Sequence, residues 1–164
     1  MIRTIDQYIW NIVFLTFFLL VFIGGMNILA EHAYIGYGAL TAGDILLLSL
    51  AAFRLTRLFV YDAIMKFFRE MFYNAEVMNG EVVLTKPIRG PRRTLADLIS
   101  CPWCVGIWSA AVVVFFYLLT PWMYLPIAFL AIAGIGSFFQ VTANMVGWKA
   151  EELKRRVERD QLEG

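Results

Sequence analysis

Two thiols and two arginines are the residues best equipped to do chemistry in this chain. The run Ser100-Cys101-Pro102-Trp103-Cys104 sets the cysteines in a Cys-x-x-Cys spacing at the head of an apolar stretch. Proline is well tolerated in a helix's first turn, so the pattern predicts Cys101 at an N-cap and Cys104 one turn later. Both sulfurs then face the positive end of a helix, which lowers thiol pKa and favours a reactive thiolate. Three readings are open. In a redox dithiol, Cys101 would be the nucleophile and Cys104 the resolving thiol. In an intersubunit zinc site, two such pairs would supply four thiolates, because one chain offers only Cys101 and Cys104 and its sole histidine, His32, is expected on the opposite side of the membrane. In a purely structural role, small polarizable thiols pack a tight helix start beneath the arginines and Trp108.

The arginines raise a different question. Arg54 and Arg57 stand three residues apart inside an apolar run, so they share a helix face that Tyr61 extends. An arginine within a bilayer costs at least about 2.5 kcal/mol on insertion scales and normally has a partner or faces water. Candidate partners are Asp62, Asp97, the two thiols, and Gln140 with Asn144. The cluster could bind a lipid phosphate, line a polar path, or tie helices together. With Arg92, Arg93, Trp103 and Trp108 these residues form the expected binding or structural cluster.

Positioning falls to four long apolar stretches, residues 9–29, 45–63, 103–119 and 122–146. Each approaches the roughly 20 residues that span a hydrocarbon core about 30 Å thick. Hydrophobic residues make up 60% of the chain and charged ones 16%, far from the balance of a soluble domain. The expected fold is all-α: a polytopic membrane protein with four transmembrane helices. The first stretch is too long for a cleaved signal peptide, and no small-x-small cleavage site follows it. Lysine and arginine are absent from residues 31–44 and from the Thr120-Pro121 turn, but concentrate between the second and third stretches and in the tail. The positive-inside rule then predicts both termini in the cytoplasm and residence in the inner membrane. The net charge of +1 reflects that topology and gives no reason to expect a nucleic-acid partner.

Residues 63–100 form the expected cytoplasmic loop. Ile64, Phe67, Phe68, Met71 and Phe72 recur at helical spacing opposite Lys66, Arg69 and Glu70, as in a helix lying in the interface. Asn79-Gly80, between Glu76-Val77-Met78 and Glu81-Val82-Val83-Leu84, predicts a small two-residue hairpin. Lys86 to Arg93, broken by Pro87, Gly90 and Pro91, reads as an extended basic loop able to touch anionic head groups. A short helix is expected from Leu95 to Ile99. Gly106 with Ala110, and Ala133 with Ser137, have the small-xxx-small spacing of close helix contacts, and homo-oligomers are open to such a chain. Trp10, Tyr61, Trp103, Trp122, Tyr124 and Trp148 fit interfacial belts. The domain expectation is therefore a transmembrane unit over 1–147 and a charged cytoplasmic helix over 148–164, with i,i+4 pairs Glu151–Arg155, Glu152–Arg156 and Arg159–Glu163.

Phe53-Arg54-Leu55-Thr56-Arg57-Leu58 with Tyr61-Asp62, then Arg92-Arg93, then Ser100-Cys101-Pro102-Trp103-Cys104-Val105-Gly106-Ile107-Trp108 resemble small bacterial and phage-encoded membrane proteins, sporulation-associated ones included, catalogued as domain of unknown function 1360. The resemblance covers about residues 44–116 and leaves the first stretch and the tail outside. It implies a multi-pass membrane protein in an envelope, sporulation or lysis setting, and supplies no catalytic activity, cofactor or substrate. It also suggests that the arginine face and the cysteine turn meet. The expected function is a non-enzymatic structural, interaction or permeability-related component of the membrane, without a cofactor; the alternative is the membrane dithiol.

Overall fold

The computed structural model describes the backbone of residues 2–78 and 81–163, with side chains for all of these except 2–5, 37, 77, 78, 81, 82, 160, 162 and 163. The Asn79-Gly80 turn and the Arg159–Glu163 pair lie outside the described residues. The fold is predominantly helical, with α1 (Ile2–His32), α2 (Ala42–Val60), α3 (Lys66–Glu70), α4 (Pro91–Ser100), α5 (Pro102–Leu119) and α6 (Tyr124–Glu163), and a hairpin of β1 (Asn74–Met78) and β2 (Glu81–Thr85). The strands pair antiparallel from Asn74 opposite Thr85 to Met78 opposite Glu81.

Among the described residues, three segments are long and apolar enough to cross a membrane: Asp6–His32, Pro102–Leu119 and Pro121–Arg159. The expectation of four is met only in part. α2 has 19 residues but carries Asp44, Arg54 and Arg57 within them, so its composition alone does not qualify it.

α2 is nevertheless the centre of the bundle, packed against both α5 and α6. Leu48 and Ala51 of α2 meet Val113, Tyr117 and Leu118 of α5, Ile127 and Ala131 of α6, and Leu29 of α1. The closest approach uses Gly134: a Cβ there would lie 2.5 Å from the carbonyl oxygen of Leu50. Gly134, next to the Ala133 of the Ala133–Ser137 spacing, makes this contact, because only a residue without a side chain lets the two backbones come so near.

The start of α2 is fixed by a capping box. Thr41 Oγ1 accepts from the Asp44 amide at 3.3 Å, and Asp44 Oδ2 accepts from the Thr41 amide at 2.8 Å. Asp44 Oδ1 also accepts from the Tyr117 hydroxyl at 2.6 Å, pinning α5 to that cap. The far end of α2 is finished by Arg69, whose Nη1 donates to the carbonyls of Phe59 at 2.7 Å and Asp62 at 3.0 Å. A cation here satisfies orphan carbonyls at the negative end of the helix dipole.

The helix after the basic loop starts earlier than expected. α4 begins at Pro91 rather than Leu95 and takes in Arg92 and Arg93, so the run from Lys86 is not extended to its end. Gly90 adopts φ +85°, a conformation that glycine reaches without strain, and proline is pre-organised for the first helical position. The Gly90 amide donates to Asp6 Oδ2 at 3.1 Å, which ties α4 to α1.

The proposed interfacial helix is a 3₁₀ turn (Ala63–Met65) followed by the five residues of α3. Its apolar residues divide: Phe68 packs between Phe59 and Phe72, while Ile64, Phe67 and Met71 are exposed. α6 runs 40 residues through Gly147 without a break, which at 1.5 Å per residue is about 60 Å, twice a hydrocarbon core. All its side chains from Phe138 to Arg159 are exposed.

Candidate functional site

Cys101 is the single residue between two helices, the C-cap of α4 and the N-cap of α5. Its extended backbone (φ −94°, ψ 108°) turns the chain, and Pro102 opens α5. Cys101 Sγ accepts from the Cys104 amide at 3.3 Å, and the Cys104 Sγ faces it at 2.7 Å. Both thiols are half-buried and free. The Cys104 thiol and amide, pointing at the Cys101 sulfur, hold the Cys101 pKa below the ordinary thiol value, because donors aimed at an acceptor favour its charged form. Among the described residues, no cluster of three or more histidine, cysteine or acidic side chains is arranged to hold a metal ion.

A second polar network adjoins the turn. Lys86 Nζ donates to Asp97 Oδ1 at 2.9 Å and to Ser100 Oγ at 3.2 Å, and Arg93 Nε lies 3.8 Å from Asp97 Oδ2. The Asp97 carboxylate raises the Lys86 pKa above its usual value. Arg92 Nη2 donates to the Met71 carbonyl at 2.9 Å and anchors α4 to the segment before the hairpin. Thus Arg92, Arg93 and Asp97 organise the loop beside the cysteines.

The arginines of α2 take other partners. Arg54 Nη1 reaches Asp62 Oδ2 at 2.7 Å, with 22% and 26% of the two side chains exposed. Asp97 serves Lys86 instead, and Gln140 bonds to Asn144 on its own helix at 3.1 Å. Arg57 lies against two rings, 5.9 Å from the centre of Phe53 and 5.3 Å from that of Tyr61, both within cation–π range. Its Nε is buried without a hydrogen-bond partner.

The arginine face and the cysteine turn do not meet as the shared motifs suggested. Arg54 Cβ lies by Gly134 on the α6 side of α2. The side turned towards Cys104 presents Leu55 and Phe59 instead, and helical periodicity keeps those two residues away from Arg54 and Arg57. Between Leu55, Phe59 and Cys104 lies a groove of about 400 Å³, almost wholly apolar, bounded also by Phe18, Leu98 and Trp108. Trp108 stacks on Phe18 with ring centres 4.1 Å apart. Trp103 is 85% exposed, the state of a ring that meets its surroundings rather than the bundle.

Several of these features escaped the sequence reading. Thr41-x-x-Asp44 is a visible capping-box pattern, whereas the bond from Asp44 to Tyr117 joins residues 73 apart and leaves no local trace. Arg69 as a cap for α2 and the groove itself likewise depend on how distant segments pack.

Comparison with known proteins comes to the same stretch of chain. Sporulation protein YjcA of Bacillus subtilis is 36% identical over 100 residues, covering 56% of this chain and 85% of that protein. UPF0713 protein YngL of the same organism is 33% identical over 117 residues, covering 69% of this chain and 87% of its own. No solved structure matches. A family model described as protein of unknown function (DUF1360) matches residues 47–143, from α2 into α6, and with it the chain belongs to the DUF1360 family.

Proposed function

We propose that this protein is a four-pass component of the bacterial inner membrane, with structural, interaction or permeability-related rather than enzymatic work, in an envelope, sporulation or lysis setting. The observation that carries this reading is how the charges of α2 are neutralised. Asp44 is taken up by Thr41 and Tyr117, Arg54 by Asp62, and Arg57 lies against aromatic faces. A helix whose charges are paired or set against aromatic faces inside the bundle can cross a bilayer that the bare sequence would resist. The arginines are then accommodated within their own segment rather than by tying helices together, and α2 is the fourth crossing, between α1 and α5. The sporulation relative supports the setting.

In this reading residues 1–147 form the membrane unit, residues 148–164 a charged cytoplasmic extension, and both termini are cytoplasmic. The exposed Ile64, Phe67 and Met71 lie in the interface, anionic head groups meet the basic loop, and the bare apolar surface of α6 beyond Phe138 contacts lipid or a second copy. Labelling in intact cells tests the topology. With Cys101 and Cys104 replaced by serine, a cysteine introduced by Gly38→Cys is expected to react with a membrane-impermeant maleimide. In the unaltered protein, Cys101 and Cys104 are expected to react only with a permeant reagent. Protection of Gly38→Cys from the impermeant reagent would mean that α2 does not cross.

A second reading, a membrane dithiol, is favoured by one observation: the two sulfurs of the Cys-x-x-Cys turn face each other directly. It predicts a reversible Cys101–Cys104 disulfide on mild oxidation and loss of function in Cys101→Ser. If function survives that change, the thiols only pack the turn.

A further inference from the structure

The groove beside the cysteine turn joins a dithiol to an apolar, aromatic-lined space. Phe18 of α1 forms one bank, Leu55 and Phe59 of α2 the other, and α5 lines it between them with Cys104 and Trp108. The space is open to the exterior, with Leu95, Leu98 and Ile99 of the cytoplasmic α4 at its margin, and in a protein embedded in lipid its walls from α1, α2 and α5 border hydrocarbon rather than water. Its wall offers almost nothing polar to a hydrophilic ligand, whereas its rings offer flat faces to another ring. One thiol of the pair, Cys104, belongs to that wall, and Cys101 touches Cys104 from outside it. An occupant that uses every part of this arrangement is planar, lipid-soluble and able to accept two electrons.

We propose that the groove binds the ring of an isoprenoid quinone and that Cys104 and Cys101 together reduce it to the quinol. The inference rests on the dithiol reading, exchanges the roles of its two thiols because Cys104 is the one in the groove wall, and supplies its electron acceptor. Cys104 sulfur adds to a ring carbon, forming a C–S bond, and the Cys104 proton goes to a quinone oxygen. Cys101 thiolate then attacks the Cys104 sulfur, the S–S bond forms, and the C–S bond breaks with its electron pair going to the ring. The departing quinolate takes up the proton that Cys101 released on ionising. Two thiols are thereby oxidised to one disulfide and one quinone is reduced to one quinol.

The test uses the reduced, full-length protein in liposomes without oxygen. The probe is a short-tailed prenyl quinone carrying a substituent at every ring position, which resists irreversible arylation of thiols. Loss of quinone absorbance and the mass of the Cys101–Cys104 peptide are followed together. The expected result is one quinol and one disulfide per chain, with none in Cys101→Ser or Cys104→Ser. Val112→Trp, which fills the groove and leaves both thiols, is expected to slow quinone reduction roughly tenfold or more while the water-soluble oxidant diamide still forms the disulfide at the unaltered rate. Leu55→Phe provides a second groove-filling variant if the first does not fold.

The outcomes separate the inference from the reading beneath it. If diamide forms the disulfide and the quinone does not, the quinone assignment is overturned and the dithiol survives. If neither oxidant joins the cysteines, the dithiol reading falls as well. If the groove-filling variants reduce quinone as fast as the unaltered protein, the groove is not the site.

Discussion

At the Thr41 end of α2 the Asp44 carboxylate accepts from the Thr41 amide and hydroxyl and from the Tyr117 hydroxyl, beside a closed core of Leu48, Ala51, Leu118 and Ile127. At the Val60 end Arg54 must extend to Asp62, eight positions on, for a partner, the Nε of Arg57 has none, and a groove of about 400 Å³ separates α2 from α1. One helix thus has a saturated end and an open end. An acid in a first turn is neutralised on the spot by the cap and by the positive end of the dipole. A long cationic side chain two turns from the other end has no such local partner and must reach along the helix. The saturated end holds the bundle together, and the open end is left with room and unused chemistry.

Substitutions in the close α2–α6 contact and at the saturated end should cost the most. Gly134→Val would drive a side chain against the Leu50 carbonyl, and overpacking of this kind is expected to cost about 3 kcal/mol, read as thermal unfolding in detergent. A neutral outcome would mean that α2 and α6 separate easily and that this side is not closed after all. Tyr117→Phe, which deletes only the hydroxyl that donates to Asp44, is expected to lower the unfolding midpoint by a few degrees while leaving the shape of the core unchanged. Asp44→Asn should produce part of the same loss, and the double variant should cost less than the sum because both changes break one bond.

At the open end the same measurement should move less. Arg54→Met removes one member of a partly exposed ion pair and leaves Asp62, just outside the helix, free to hydrate. The expected loss is about 1 kcal/mol or less. A loss as large as that of Gly134→Val would place the ion pair among the supports of the bundle and erase the contrast between the ends.

What the sequence disclosed follows the range of the interactions. Cys101 at an N-cap with Cys104 one turn on was legible because capping and proline rules act over four residues. The hairpin strands were legible from Asn79-Gly80 set between Glu76-Val77-Met78 and Glu81-Val82-Val83-Leu84, and Asp62 stood among the named candidates for Arg54, eight positions on. The early start of α4 was missed because Gly90 and Pro91 were read as breakers, when together they form a helix start. The supposed meeting of arginines and cysteines failed for a different reason. Two motifs in one family establish that they share a fold, not a face, and the periodicity of α2 points Arg54 and Leu55 in different directions.

The smallest effect on stability is expected at the cysteine turn, where a change of thiol reactivity should appear without unfolding. Cys101→Ser retains a side-chain oxygen at the N-cap, and Cys104→Ala deletes a small group beside an existing groove, so each is expected to alter stability by about 0.5 kcal/mol or less. Alkylation of Cys101 by iodoacetamide, followed by peptide mass across pH, is the more sensitive probe. Only the thiolate reacts, and a pKa held low means that the thiolate persists to lower pH. The rate should therefore rise through an inflection below that of an ordinary cysteine. Cys104→Ala removes the donor chiefly responsible, the Cys104 thiol, while leaving the amide of residue 104 in place, and should move the inflection upward. Arg57→Gln lies on the other face of α2 and should leave it where it was. An inflection that follows Arg57 instead would mean that the arginine face and the cysteine turn communicate, and that the open end of the bundle works as one electrostatic unit.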